Sequence, residues 1–397
     1  MDSRSLSCKS CIVVIFLLLL INDVRAYIPT KRFNVEAFGA VGNGRTDSSK
    51  AFLYAFTRAC QFNGYSILLV PKGTFLVGPV VFKGPCRGPI DFQLRGIMRA
   101  PAGAVGMDHW ISFRYIDRLM IYGGGILDGR GETAWHYNDC SRNSNCQSLP
   151  VSLRLDFVTN SVVRGITSLN SKNFHMNIMG CTNLRMERLH IIAPAESPNT
   201  DGVHLGYSEH IRISDSIIAT GDDCISLGPG SKNIEVLGVT CGPGHGISIG
   251  SLGKYQNELD VSGIKVRNCV LDGTDNGLRI KTWATSLKSK VHDITFEDVI
   301  MNNVYNPIFI DQQYCPGGNC DNSKASSVQI QDVMFRRIRG TSKSQAAVNL
   351  RCSRLYPCKN IKLADINLSY KGPANTTCLN VQASAWGLQK PDLGACI

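Results

Sequence analysis

Apart from one short run, the sequence lacks long hydrophobic stretches. Ile12–Ile21 is ten apolar residues long, about half of what a membrane-crossing helix takes. No later segment is longer or more apolar, which excludes a helical membrane protein. Past residue 26 there is no CxxC pair and no cluster of His and Cys at metal-ligand spacing, so nothing points to a bound metal or another cofactor. There is no low-complexity tract and no linker. The basic residues are dispersed rather than clustered with aromatics, which argues against a nucleic-acid surface. Acidic residues are the scarcer charge, 31 against 42 Lys and Arg. That imbalance suits an acidic partner such as an anionic polysaccharide.

The run at Ile12–Ile21 follows Arg4 and Lys9 and precedes Val24-Arg25-Ala26. This is the layout of a secretory signal peptide cleaved after Ala26. The expected mature chain, 27–397, carries 39 basic and 29 acidic residues and 14 of the 16 cysteines. In an oxidising compartment several of these should pair. The close spacings Cys140/Cys146, Cys315/Cys320, Cys352/Cys358 and Cys378/Cys396 predict loop staples, and Asn367 and Asn375 open glycosylation sequons.

Two series of short, β-branched, alternating segments interleave along the chain. One comprises GVHLG (202–206), CISLG (224–228), GISIG (246–250), GLRIK (277–281), PIFID (307–311), AVNLR (347–351) and CLNVQ (378–382). The other includes HIRISDSII (210–218), NIEVLGVT (233–240), GIKVRNCVL (263–271) and NIKLADINL (360–368). Period-two runs bounded by Gly, Asn and Asp are strands. Their recurrence every 22 to about 30 residues predicts a solenoid. The leucine-rich repeat consensus is absent, and a propeller needs a longer period. The fold expected is all-β, a single-stranded right-handed parallel β-helix. Val203, Ile225, Ile247, Leu278 and Ile308 would fill its bore. A capping helix with Phe52, Ala55, Phe56 and Ala59 as its apolar stripe, and Asp47 as its cap, would close the N-terminal end. The cysteine-rich tail would close the other.

In such a solenoid, residues one coil apart stack. Asp201, Asp223 and His245 each lie two positions before an inward residue at intervals of 22, so they form a column with Asp222 beside it. Arg279 and Lys281 flank Ile280 on the same face. A lone Asp before a strand is ordinarily a turn residue. Three crowded carboxylates repel by several kcal/mol in a poorly solvated site, a cost that a fold alone does not require. Crowding also pushes one carboxyl toward protonation beside ionised neighbours. That is equipment for glycoside hydrolysis, in which one carboxylic acid protonates the leaving oxygen and a carboxylate activates water. The two cations suit a sugar carboxylate.

The motifs NTDG (199–202), GDD (221–223), GHG (244–246) and RIK (279–281) resemble, in order and spacing, those of the polygalacturonases of glycoside hydrolase family 28. FNVEAFGAVGNGRTDSSKAF (33–52) resembles the entry segment of the plant members, with Asn43 where Asp is more usual. The resemblance implies an inverting, metal-independent hydrolysis of α-1,4-galacturonan, the backbone of pectin, by a monomer secreted to the plant cell wall. It implies Asp222 as the general acid and Asp201 and Asp223 as holders of the water. His245 would support the acid. Arg279, Lys281 and Tyr314 would bind the galacturonate carboxylate, and Asn199 would orient the groove wall. LDGRGETAWHYNDC and GSLGKYQNELDVSGIKV look most like the exo-acting, pollen-type enzymes, with segments 130–150 and 312–326 as candidate groove walls. A calcium-dependent pectate lyase, a rhamnogalacturonan hydrolase and a non-catalytic wall-binding β-helix are the rival readings.

Overall fold

A computed structural model describes residues 29–396, except 104–105, 139–148, 285, 317, 319 and 322–323. The chain is a right-handed parallel β-helix. An eleven-stranded sheet runs along one face. Its strands near the site are Met176–Met179, Val203–Gly206, Ile225–Leu227, Ile247–Leu252, Asn276–Trp283 and Asn306–Tyr314. A second, long parallel sheet supplies the remaining strands of each coil, such as Glu209–Ser214 and Ile217–Ala219.

The expected register holds. Val203 pairs with Ile225, Ile225 with Ile247, Ile247 with Leu278, and Leu278 with Ile308. All five are sealed from solvent. Fully burying each such side chain contributes about 1.5–3 kcal/mol, repeated at every coil. Within Glu209–Ser214 and its counterparts on the long sheet, the backbone bends at left-handed residues that also stack: Asn160, Asn183, His210, Asn233, Gly263, Asp293, Asp332 and Asn360. Short polar side chains and Gly tolerate that conformation best. Asn183 bonds Asn160 at 2.8 Å, and Asn160 bonds Asp117 at 2.7 Å, so the bends also cross-link neighbouring coils.

Both ends are covered. The capping helix spans Ser49–Cys60 and buries Phe52, Ala55, Phe56 and Ala59. Its N-cap is Ser48 rather than Asp47. The Asp47 carboxylate accepts from the Ser49 backbone N–H at 3.0 Å, from one position ahead of the observed cap. Phe56 packs on Phe82, and Phe82 on Phe113, with ring centroids 4.8 and 4.9 Å apart. At the far end the last strand, Val381–Lys390, lies on Cys358–Ser369, and the tail folds back through the Cys378–Cys396 disulfide.

Three of the four expected cysteine pairs form: Cys315–Cys320, Cys352–Cys358 and Cys378–Cys396. Cys140 and Cys146 lie outside the described residues. Two further pairs, Cys60–Cys86 and Cys224–Cys241, tie the capping helix to the first coils and one site-bearing turn to the short strand Thr240–Cys241 of the next coil. The expected strand at 378–382 is displaced. The strand in that position is Asn375–Leu379, because Asn380 turns the chain left-handed and sends Val381 into the other sheet. Among the described residues, no helix is long and apolar enough to cross a membrane.

Candidate active site

The site is built on successive turns that precede three strands of the eleven-stranded sheet. The turn 220–224 joins Ile217–Ala219 to Ile225–Leu227 and presents Asp222 and Asp223. Its neighbours one coil away present Asp201 and His245. Backbone bonds clamp the turns together: Gly202 N–H to Asp223 O at 2.9 Å and His245 N–H to Asp222 O at 2.8 Å. The turns are too close for side chains at some positions. A Cβ at Gly221 would lie 2.1 Å from Ser197 O, and one at Gly246 (φ +79°) 1.9 Å from Asn276 O. The glycines of GDD and GHG are therefore conditions of the stacking.

Asp223 is buried, 1 % exposed, and both its oxygens are engaged. Oδ1 accepts from Arg279 Nη2 at 2.7 Å and Ser248 Oγ at 2.8 Å, and Oδ2 from Lys281 Nζ at 2.7 Å. Burial works against its ionisation, but Lys281 and Arg279 outweigh it and pull its pKa down to about 2. Asp201, also buried, has no cation in contact. Burial, then the charges of Asp222 and Asp223, raise its pKa well above the usual carboxylate range. Its Oδ2 accepts from Ser226 Oγ at 2.8 Å.

Asp222 differs from both. Its side chain is 20 % exposed, the most accessible carboxyl of the three. Oδ1 receives two donors, the Asp223 backbone N–H at 2.7 Å and His245 Nδ1 at 2.9 Å. Oδ2 has only Asn199 Nδ2, at 3.5 Å, so it is the oxygen left to carry a proton. The hydrogen bond to Asp222 raises the pKa of His245 against the effect of burial. Asp275 Oδ2 lies 3.6 Å from His245 Nε2.

All eight residues expected from the sequence come together, with one change of partner. Arg279 and Lys281 both point to the groove, as alternation predicts, but each reaches Asp223. Lys281 Nζ also lies 5.1 Å from the centre of the Tyr314 ring. A cavity of about 410 Å³ is lined by His245, Asp275, Asn276, Arg279, Tyr305 and Asn306. Another of about 550 Å³ includes Arg279, Asp311, Tyr314 and Arg351. A slightly larger depression, about 610 Å³, lies on the long sheet and contains none of these residues.

The described parts of both candidate walls adjoin this groove; residues 139–148 of the first and 317, 319 and 322–323 of the second lie outside the described residues. From the first, Asn138 Nδ2 bonds Asn199 Oδ1 at 3.1 Å, and Trp135 Nε1 anchors the segment on Ser171 O at 2.9 Å. The second carries Tyr314 and the Cys315–Cys320 staple. Sequence reasoning gave no role to the serines that hold the carboxylates, although Ser226 and Ser248 each follow their aspartate by 25 residues. It also missed Asp275, which repeats the position of Asp222 three residues before an inward side chain.

Asp222, Asp223 and His245 place one potential ligand atom each within 4.8 Å of one another. As a cation site the cluster fits poorly. Both Asp223 oxygens already face Arg279 and Lys281, and a metal ion there would sit beside two fixed positive charges.

The family model for glycosyl hydrolases family 28 matches residues 60–387. An exopolygalacturonase of Platanus acerifolia is 47% identical over 365 residues, covering 90% of this chain and 96% of the relative. An exopolygalacturonase of Oenothera organensis is 48% identical, covering 87% and 97%. Among solved structures, an exopolygalacturonase from Thermotoga maritima superposes with a TM-score of 0.75 at 20% identity, covering 93% and 94%.

Proposed function

The chain belongs to the glycosyl hydrolases family 28, and we propose that Asp222 is the acid with which it cleaves α-1,4-galacturonosyl linkages of pectin. The observation that carries this is access. A general acid must touch the leaving oxygen. Of the three crowded carboxyls only Asp222 is open to the groove, with Oδ2 free of strong donors.

The protein is a glycoside hydrolase acting on polygalacturonate. In the proposed mechanism Asp222 protonates the glycosidic oxygen through Oδ2. His245 and the Asp223 N–H hold Oδ1 and stabilise the carboxylate that forms. Asp223, kept ionised by Arg279 and Lys281, and Asp201, held by Ser226, bind and activate the water that attacks the anomeric carbon from the other side. Arg279 and Lys281 retain further N–H donors for the galacturonate carboxylate, and Tyr314 shares that end of the groove. Asn199 links the Asp222 side of the cleft to the wall at Asn138.

Exo action is the mode favoured. The exopolygalacturonase relatives share nearly half of their residues with this chain. The segment Gly131–Asn138 stands against Asn199 at one end of the carboxylate cluster, where a wall would limit the number of sugars beyond the cleavage point. We place the mature chain, 27–397, outside the cell as a single catalytic unit. The five described disulfides suit an oxidising compartment. Both sequon asparagines, Asn367 and Asn375, are exposed. Product analysis on de-esterified polygalacturonate tests the whole reading: a saturated galacturonate product supports it, and an unsaturated one overturns it.

A further inference from the structure

Position 204 lies in the column between inward residues, in register with Ser226 on the next coil. His204 Nδ1 is 2.7 Å from Ser226 Oγ, and Ser226 Oγ is 2.8 Å from Asp201 Oδ2. A hydroxyl has one proton to give. The Asp201 carboxylate, as an ion, only accepts, so the Ser226 proton goes to Asp201. His204 Nδ1 must then be the donor to Ser226. With Asp201 ionised, this geometry calls for the Nδ1–H tautomer of the imidazole, on which the Phe174 ring packs with centroids 4.9 Å apart. Burial pushes its pKa down to about 4, which keeps it neutral over the range where the chain Nδ1–H to Oγ–H to Oδ2 is needed.

We propose that His204 and Ser226 are positioning residues that aim the Asp201 carboxylate and sustain its ionisation for water activation. Asp201 needs such help. Its surroundings are hostile to charge: it is buried, and Asp222 and Asp223 face it from the next turn. Lys281 offsets this only at a distance, and the Ser226 hydrogen bond works in the same favourable direction. Asp223, one coil on, is served by Ser248 in the same way and by two cations besides. Asp201 has the serine and, behind it, a histidine. Chains of hydrogen bonds polarise one another, so a donor on Ser226 Oγ strengthens what Ser226 gives to Asp201.

This rests on the role proposed above for Asp201, and two measurements keep the ideas separable. The first is independent of turnover. Nitrogen NMR of the His204 imidazole, assigned by its loss in His204→Asn, should show a protonated Nδ1 and a bare Nε2 at neutral pH. The opposite tautomer would direct the Ser226 proton to His204 and end the proposal, whatever the enzyme hydrolyses. The second is kinetic. Ser226→Ala should lower kcat on polygalacturonate about 10- to 100-fold, the scale for losing a hydrogen bond to a charged group, with KM within about twofold. The acid limb of its pH profile should move to higher pH, because the Asp201 pKa rises when a donor to its carboxylate is lost. His204→Asn keeps a donor near the Nδ1 position and should retain activity. His204→Gln, which places its amide nearer Nε2, and His204→Leu should both resemble a milder Ser226→Ala. Equal losses in Asn, Gln and Leu with an unmoved acid limb would reduce His204 to packing. A wild-type protein without hydrolytic activity would instead remove the function, leaving the tautomer to be read on its own.

Discussion

Lys281 Nζ lies 2.7 Å from Asp223 Oδ2, with the two side chains 8% and 1% exposed. Removing one member of a buried pair leaves an uncompensated charge, which costs about 3–5 kcal/mol. Arg279, on the other oxygen, softens that cost here. Lys281→Met should therefore lower thermal stability by several degrees. It should also lower kcat as well as raise KM, because the pair serves the water-holding carboxylate as well as a substrate carboxylate. A rise in KM alone would show that Lys281 only binds sugar. The protein's own pH dependence has the matching sign. Against the effect of burial, Lys281 and Arg279 hold the Asp223 pKa in the fold down to about 2, below the ordinary carboxylate value. The stability it contributes is full above the unfolded value and is lost as pH falls from roughly 4 through 2.

Asp222→Asn removes the proton that Oδ2 would deliver but keeps a side chain able to accept at Oδ1. It should reduce kcat at least ~100-fold and leave the circular dichroism spectrum unchanged. Wild-type turnover in this variant would transfer the acid role elsewhere, with Asp201 the first candidate because its pKa is raised.

The column Asp201, Asp223 and His245 was legible because a β-helix turns sequence period into spatial stacking. The inward residues and the groove-facing side of Arg279 and Lys281 followed from alternation. What periodicity cannot give is reach across coils. Asp223 meets side chains from strands one and two coils ahead of its own, and only the turn's path shows that Arg279 and Lys281 meet there. Cys60–Cys86 joins a helix to the first coils, so no repeat relates the two positions. The strand expected at 378–382 was misplaced because its alternation continues past Asn380, while the backbone turns there. Ser226 and Ser248 carried a visible signal, the constant 25-residue offset from their aspartates, but small hydroxyls in strands seldom mean chemistry.

His245 offers a direct check on the acid's environment. The largest influence raising its pKa is the hydrogen bond to Asp222. In Asp222→Asn the imidazole should titrate at lower pH than in the wild type, by proton NMR. The stability that His245 contributes in the wild type is present below its unfolded pKa and is lost as pH rises through the higher folded value. An unmoved titration in the variant would mean that Asp222 and His245 are not bonded in solution.

Chelation should leave activity unchanged. Asp223 presents both oxygens to fixed cations, so calcium could bridge Asp222 and Asp223 only by displacing Arg279 or Lys281. EDTA inhibition reversed by calcium, with an unsaturated product, would move the chemistry from hydrolysis to elimination.

The mode of attack should depend on the wall at Gly131–Asn138. Trp135 pins this segment through its Nε1 bond to Ser171 O, and Gly131 packs against its indole so closely that a Cβ there would lie 2.6 Å from the ring. The wild type should release monogalacturonate from the first time points while the viscosity of the polymer falls slowly. Trp135→Ala loses the bond and most of the ring contact, which for a partly buried aromatic costs up to about 3 kcal/mol. It should free Asn138 from Asn199. The carboxylates stay in place, since their partners Ser226, Ser248, Arg279 and Lys281 lie on other coils. Hydrolysis should then persist within about tenfold of wild type, while the early products shift toward oligomers. An unchanged monomer pattern would place the block elsewhere along the groove, and oligomers from the wild type itself would make the enzyme endo-acting.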